Sequence, residues 1–90
     1  MPETLHALFY DYGPDIAERR APHRSAHLEL VRAYHEDDRL VMAGAYGDPI
    51  VGGLLVFRSA EAAEAFANED PYVSGGLVER WRVHPWTVVT

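Results

Sequence analysis

The order of elements along this chain predicts an α+β fold, the ferredoxin-like βαββαβ arrangement. That is a four-stranded antiparallel sheet with two helices on one face. Three observations carry the prediction. Four apolar, strand-prone runs alternate with two helical stretches that fall after the first and the third run. The second and third runs are joined only by Gly47-Asp48-Pro49, a link short enough to require an antiparallel hairpin. Two helices of this length cover only one face of such a sheet, yet the third run is apolar on both sides.

The first strand is Leu5 to Tyr10, stopped by Asp11-Tyr12-Gly13-Pro14. Asp15 to Arg20 reads as a helical turn. Ala21 precedes a proline and is pushed away from helical geometry, so the long helix is expected from Pro22 to about Asp37. Glu29, Arg32 and Glu36 share its solvated face. Asp37 and Asp38 sit badly at a helix C-terminus, with Arg39 beside them. The second strand is Leu40 to Tyr46 and the third Ile50 to Arg58. Ser59 is placed to cap a helix from Ala60 to Glu69, whose apolar side is Ala62, Ala63, Phe66 and Ala67. Asp70-Pro71 breaks that helix and a short turn runs through Ser74. The last strand covers Leu77 to Val89, with a disruption expected at Pro85. In it Trp81 and Val83 face one way while Arg80, Arg82, His84 and Trp86 face the other. A strand apolar on both sides calls for cover on both sides. The open sheet face is therefore expected to pack on a second copy of the chain.

Ninety residues make one domain, residues 1–90, with a single small core. The net charge is −6, and every basic side chain is an arginine. An acidic chain without a basic stripe is a poor partner for nucleic acid or an anionic membrane. Without lysine there is no Schiff-base chemistry, and without cysteine there is neither a disulfide nor a thiolate metal site. Histidine, carboxylates, tyrosine and hydroxyls remain for proton transfer. The N-terminal residues lack a signal-peptide pattern and no run could span a bilayer, so a cytoplasmic protein is expected.

His27, Leu30, Val31 and Tyr34 form one stripe of the long helix, with Arg24 a turn earlier. Ionisable groups aimed at a core need partners, and Asp70 offers one for His27. For His27 the alternatives are a general base and a core-edge histidine bonded to backbone. Asp70 before Pro71 is also what a helix N-cap looks like, and its two oxygens allow both roles. Arg24 suits either a substrate carboxylate or a protein acid. Tyr72, Tyr10 and Tyr34 read first as packing aromatics. His23 and His27 have the spacing of two metal ligands, but no third ligand stands at a matching distance, and no metal site is expected.

Arg24-Ser25-Ala26-His27-Leu28, Met42-Ala43-Gly44 and Glu69-Asp70-Pro71-Tyr72-Val73-Ser74-Gly75-Gly76-Leu77, in that order, resemble the YciI family, the YCII-related domain. Ala45 departs from the proline that many members carry after the glycine. The resemblance implies a dimeric α+β barrel and a pocket between sheet and helix holding a His-Asp pair. Carried over, the pair is His27 and Asp70 and the associated arginine is Arg24. Tyr72 and Gly44, in the matching segments, join Arg24 as expected substrate-binding positions. A dehydrochlorinase of aromatic degradation acting on a chlorinated hydroxymuconate is similar to these proteins. Elimination or isomerisation of a small anionic, muconate- or lactone-like compound is therefore implied, with no cofactor. The other class that fits is a non-catalytic ligand-binding or structural dimer module.

Overall fold

The computed structural model describes residues 3–90. Its elements are β1 (Glu3–Tyr12), α1 (Ile16–Arg19), α2 (Ala21–Glu36), β2 (Leu40–Tyr46), β3 (Gly52–Phe57), α3 (Ala60–Glu69), α4 (Pro71–Ser74) and β4 (Val78–Val88). The strands form one antiparallel sheet in the order β2-β3-β1-β4. This is the expected α+β architecture, with short helical turns at α1 and α4, where turns were expected, beside the two long helices. No helix among the described residues is long and apolar enough to cross a membrane.

Alternation along the strands sorts the side chains. Leu8 and Tyr10 of β1, Leu55 and Phe57 of β3, and Trp81 and Val83 of β4 turn toward the helices. There they meet Tyr34 of α2, Phe66 and the alanines of α3, and Tyr72 of α4. Phe57, Phe66 and Tyr34 make mutual ring contacts at the centre of this core. The α3 boundaries are the expected ones, because Ser59 Oγ accepts the Ala62 N–H at 3.1 Å.

Other boundaries move for local reasons. The turn after β2 runs through Ile50, and Val51 donates its N–H back to Tyr46 O at 3.0 Å, so β3 starts at Gly52 rather than Ile50. The long helix starts at Ala21, with Pro22 in its first turn, and Asp37 is its C-cap. Leu77 closes the α4 turn by bonding Tyr72 O, which moves the start of β4 to Val78. Pro85 does not interrupt β4: it pairs with His6 on an edge strand, where a missing N–H is tolerated. The irregularity of the β1–β4 pairing lies instead at its far end, where Asp11 and Tyr12 pair with Arg80 and Val78 and Glu79 of β4 is skipped. The two aspartates after α2 have partners. Asp37 meets Arg39 at 2.7 Å and Asp38, in left-handed geometry, meets Arg58 at 3.2 Å.

Candidate active site

Three elements deliver the central groups. Pro71 cannot continue α3, and the residue before a proline is driven to extended geometry, so the chain turns at Asp70 (φ −72°, ψ 121°). This drives the Asp70 side chain inward, where it is fully buried. His27 comes from the core side of α2 and is 8% exposed. Tyr10 rises from the helix-facing side of β1.

They meet on one carboxylate. His27 Nδ1 lies 2.9 Å from Asp70 Oδ1 and 3.0 Å from Oδ2. The Tyr10 hydroxyl donates to Oδ2 at 2.7 Å, and the Tyr72 backbone N–H donates to Oδ1 at 3.0 Å. Asp70 thus plays both roles the sequence left open, N-cap of α4 and partner of His27. A carboxylate only accepts, so His27 donates through Nδ1, and in the neutral imidazole Nε2 is then the nitrogen that carries the lone pair. Burial, and then the charge of Asp70, push the Tyr10 phenol far above its ordinary range, which keeps it a donor.

Tyr72 lies against the other side of this pair. Its ring stacks on the imidazole with centroids 3.7 Å apart and planes 4° from parallel. Both rings wall a cleft of about 230 Å³ between α2 and the β2 edge of the sheet. Tyr12, Arg20 and Arg24 stand on its rim, and the Ala43-Gly44-Ala45 segment forms the facing side. Arg24 is exposed, so it leaves the buried stripe on which the helix periodicity placed it. Its Nη1 reaches the Tyr72 hydroxyl at 3.4 Å, and among the described residues neither Arg24 nor Arg20 forms an ion pair with a carboxylate. Burial and the neighbouring Tyr72 and Asp70 raise the Tyr12 phenol to about 12, against the opposing pull of both arginines.

All five residues singled out from the sequence, His27, Asp70, Arg24, Tyr72 and Gly44, therefore adjoin this cleft or its buried base. Sequence reasoning read Tyr10 as a packing aromatic, which it is, without its bond to Asp70, and missed Tyr12 and Arg20. Tyr12 lay in the stop expected after the first strand; β1 instead runs on to Tyr12, and alternation then puts it with Tyr10 on the side of Leu8. Arg20 carried no signal, because it lies in the short link between α1 and α2. A larger concavity of about 640 Å³ lies elsewhere, on the open sheet face around Phe9, Leu54, Val56 and Trp86. It contains no member of the dyad.

The YCII-related domain model matches residues 4–87. The chain is 33% identical over 96 aligned positions to Protein YciI of Escherichia coli O6:H1, covering 94% of this chain and 98% of that protein. The figures are the same for Protein YciI of Shigella flexneri. Among solved structures it is similar to 5-chloro-2-hydroxyhydroquinone dehydrochlorinase from Burkholderia phenoliruptrix AC1100, in complex with 2,5-dihydroxybenzoquinone. That match has a TM-score of 0.73 at 20% identity and covers 91% of this chain and 92% of the other.

Proposed function

Because this chain belongs to the YCII-related domain family, in which no single reaction follows from membership, we propose a function from its site: a small acid/base enzyme performing elimination or isomerisation on a small anionic substrate. The observation that carries this reading is the His27 Nδ1–Asp70 contact of 2.9 Å at the wall of a cleft bordered by Arg20 and Arg24. His27 Nε2 takes a proton from a carbon next to a carbonyl. Asp70 holds the imidazole in the tautomer that can do so and stabilises the imidazolium that forms. Arg24 and Arg20 hold the anionic end of the substrate.

The size of the cleft favours a compound of about one ring, below the usual range for drug-sized ligands. The likeness to a dehydrochlorinase solved with a dihydroxybenzoquinone supports the same class of planar, oxygenated compound, and loss of hydrogen chloride as one form the elimination takes. The site is proposed to work within a homodimer. Ala7 and Val56 point away from the helices, and Phe9, Leu54, Met42 and Trp86 surround them on a face the chain itself does not cover.

A second reading rests on the bond from the Tyr72 N–H to Asp70, in which the buried carboxylate only ties α4 to α2 and β1. Solvent exchange separates the two. One-ring hydroxyquinones and unsaturated oxo-acids are incubated with the protein in D₂O, and loss of carbon-bound hydrogen is followed by NMR. General-base removal predicts exchange with the wild type that slows about a hundredfold or more in His27→Gln. Equal rates with and without the imidazole would leave the structural reading.

A further inference from the structure

Among the polar side chains of the cleft, the reaction above gives the hydroxyl of Tyr12 no task. Resting on that reading, we infer that Tyr12 is a further catalytic residue: its phenol donates a hydrogen bond to the substrate oxygen that gathers negative charge when His27 removes the proton.

The placement is specific. Tyr12 stands two residues beyond Tyr10 on β1, so strand alternation puts its ring on the same, helix-facing side. Its ring packs on Tyr10, with centroids 6.1 Å apart, and edge-on against Tyr72 at 6.3 Å. Tyr72 in turn stacks on His27, so phenol and imidazole belong to one wall of rings. The tyrosine hydroxyls of that wall differ. Tyr10 is committed to Asp70 and Tyr72 is approached by Arg24, whereas Tyr12 Oη bonds no group among the described residues and, since no buried side-chain polar atom there is left unpaired, it opens to solvent. It hangs over Gly53, where a Cβ would come within 2.8 Å of it. A glycine there leaves the phenol its position. The high pKa noted above keeps the hydrogen on the oxygen at neutral pH.

In the step itself the C–H bond breaks and its proton goes to His27 Nε2. The electron pair becomes the carbon–carbon double bond of an enolate, and the carbonyl π pair moves to oxygen. Tyr12 keeps its proton and shares it with that oxygen. A donor held where charge develops favours the transition state over the ground state.

The test uses 4-nitrophenolate, a one-ring oxyanion whose absorption band reports hydrogen bonding to its oxygen. Wild type is expected to bind it saturably with a displaced band. Tyr12→Phe, which keeps the ring, should weaken binding about ten- to hundredfold and return the band toward that of the free anion. Gly53→Ala should weaken binding in the wild-type background and add nothing on top of Tyr12→Phe. Unchanged affinity in Tyr12→Phe overturns the assignment, as does a loss that follows Tyr72→Phe instead, or no binding to wild type at millimolar probe. In each case ¹⁵N NMR of His27 tells the two failures apart. If its Nδ1–H tautomer still depends on Asp70 when compared with Asp70→Asn, the dyad stands and only Tyr12 loses its role.

Discussion

The ring of Tyr72 lies flat on the imidazole of His27, 3.7 Å away, while the backbone N–H of the same residue binds the carboxylate that holds that imidazole. One residue therefore fixes both the plane of His27 and the position of its partner. Tyr72→Phe retains the stack and is expected to cost under about 1.5 kcal/mol, whereas Tyr72→Ala removes a buried ring and should cost about 3–5 kcal/mol. Urea denaturation of the two variants checks the ranking.

Asp70 satisfies three donors from three elements. Asp70→Ala strands the Tyr10 hydroxyl, the His27 Nδ1–H and the Tyr72 N–H in a buried site, each at about 1–3 kcal/mol. Asp70→Asn keeps one acceptor oxygen and is expected to fall between wild type and Asp70→Ala. Equal stabilities of the two variants would contradict the shared-carboxylate geometry.

Glycines of the central hairpin are not equivalent. A Cβ at Gly52 would come within 2.3 Å of the Tyr46 hydroxyl and 2.6 Å of the Tyr10 carbonyl, so Gly52→Ala is expected to destabilise by about 1–3 kcal/mol. A Cβ at Gly44 meets nothing within 4 Å. Gly44→Ala should stay within about 0.5 kcal/mol of wild type, and any effect it has on ligand affinity then reports the cleft directly. Thermal unfolding distinguishes the pair.

Alkaline pH should unfold the protein through its phenols. Burial raises Tyr12 and Tyr34 to about 12 from an ordinary value of 10.0; Tyr34 also bonds Glu69, and Tyr10 is raised further. Between these values the folded chain keeps protons that the unfolded chain has released, so stability falls as pH rises. The contribution is complete below about pH 10 and is lost through about pH 12. Denaturation midpoints across that window, alongside phenolate absorbance, give the measurement. A flat profile would contradict the burial of these rings.

The proposed homodimer predicts a sedimentation mass twice the 10.1 kDa of the chain. Met42 and Trp86 are 61% and 44% exposed on the open face, and Met42→Arg or Trp86→Arg should halve that mass without unfolding the subunit. A monomeric wild type would rule the assembly out.

Local chemistry made much of this architecture legible. Ser59 before an alanine-rich run set the start of α3, and Asp70-Pro71 set its end, because capping and proline geometry act within a few residues. The ends of β3 and β4 were less legible. They are set by the bonds of Val51 with Tyr46 and Tyr12, and of Leu77 with Tyr72 and Gly13, across turns and between elements. Arg24 lay on the apolar stripe by periodicity, yet it leaves the core because α2 lies along β2 and α4 rather than over the middle of the sheet.

By itself the sequence determined the succession of strands and helices, the two-sided apolar character of the sheet, and a histidine and an aspartate as the residues to watch. Periodicity and turn chemistry are properties of neighbours in the chain. Only the tertiary structure decided that Asp70 would be shared between His27, 43 residues away, and Tyr10, 60 residues away, with Tyr12 and Arg20 drawn to the same cleft. Those partnerships depend on how α2 packs along β2 and α4, which brings His27 and Asp70 to the Tyr10 hydroxyl. That packing follows from burying rings and closing hydrogen bonds between distant segments, which no local pattern encodes.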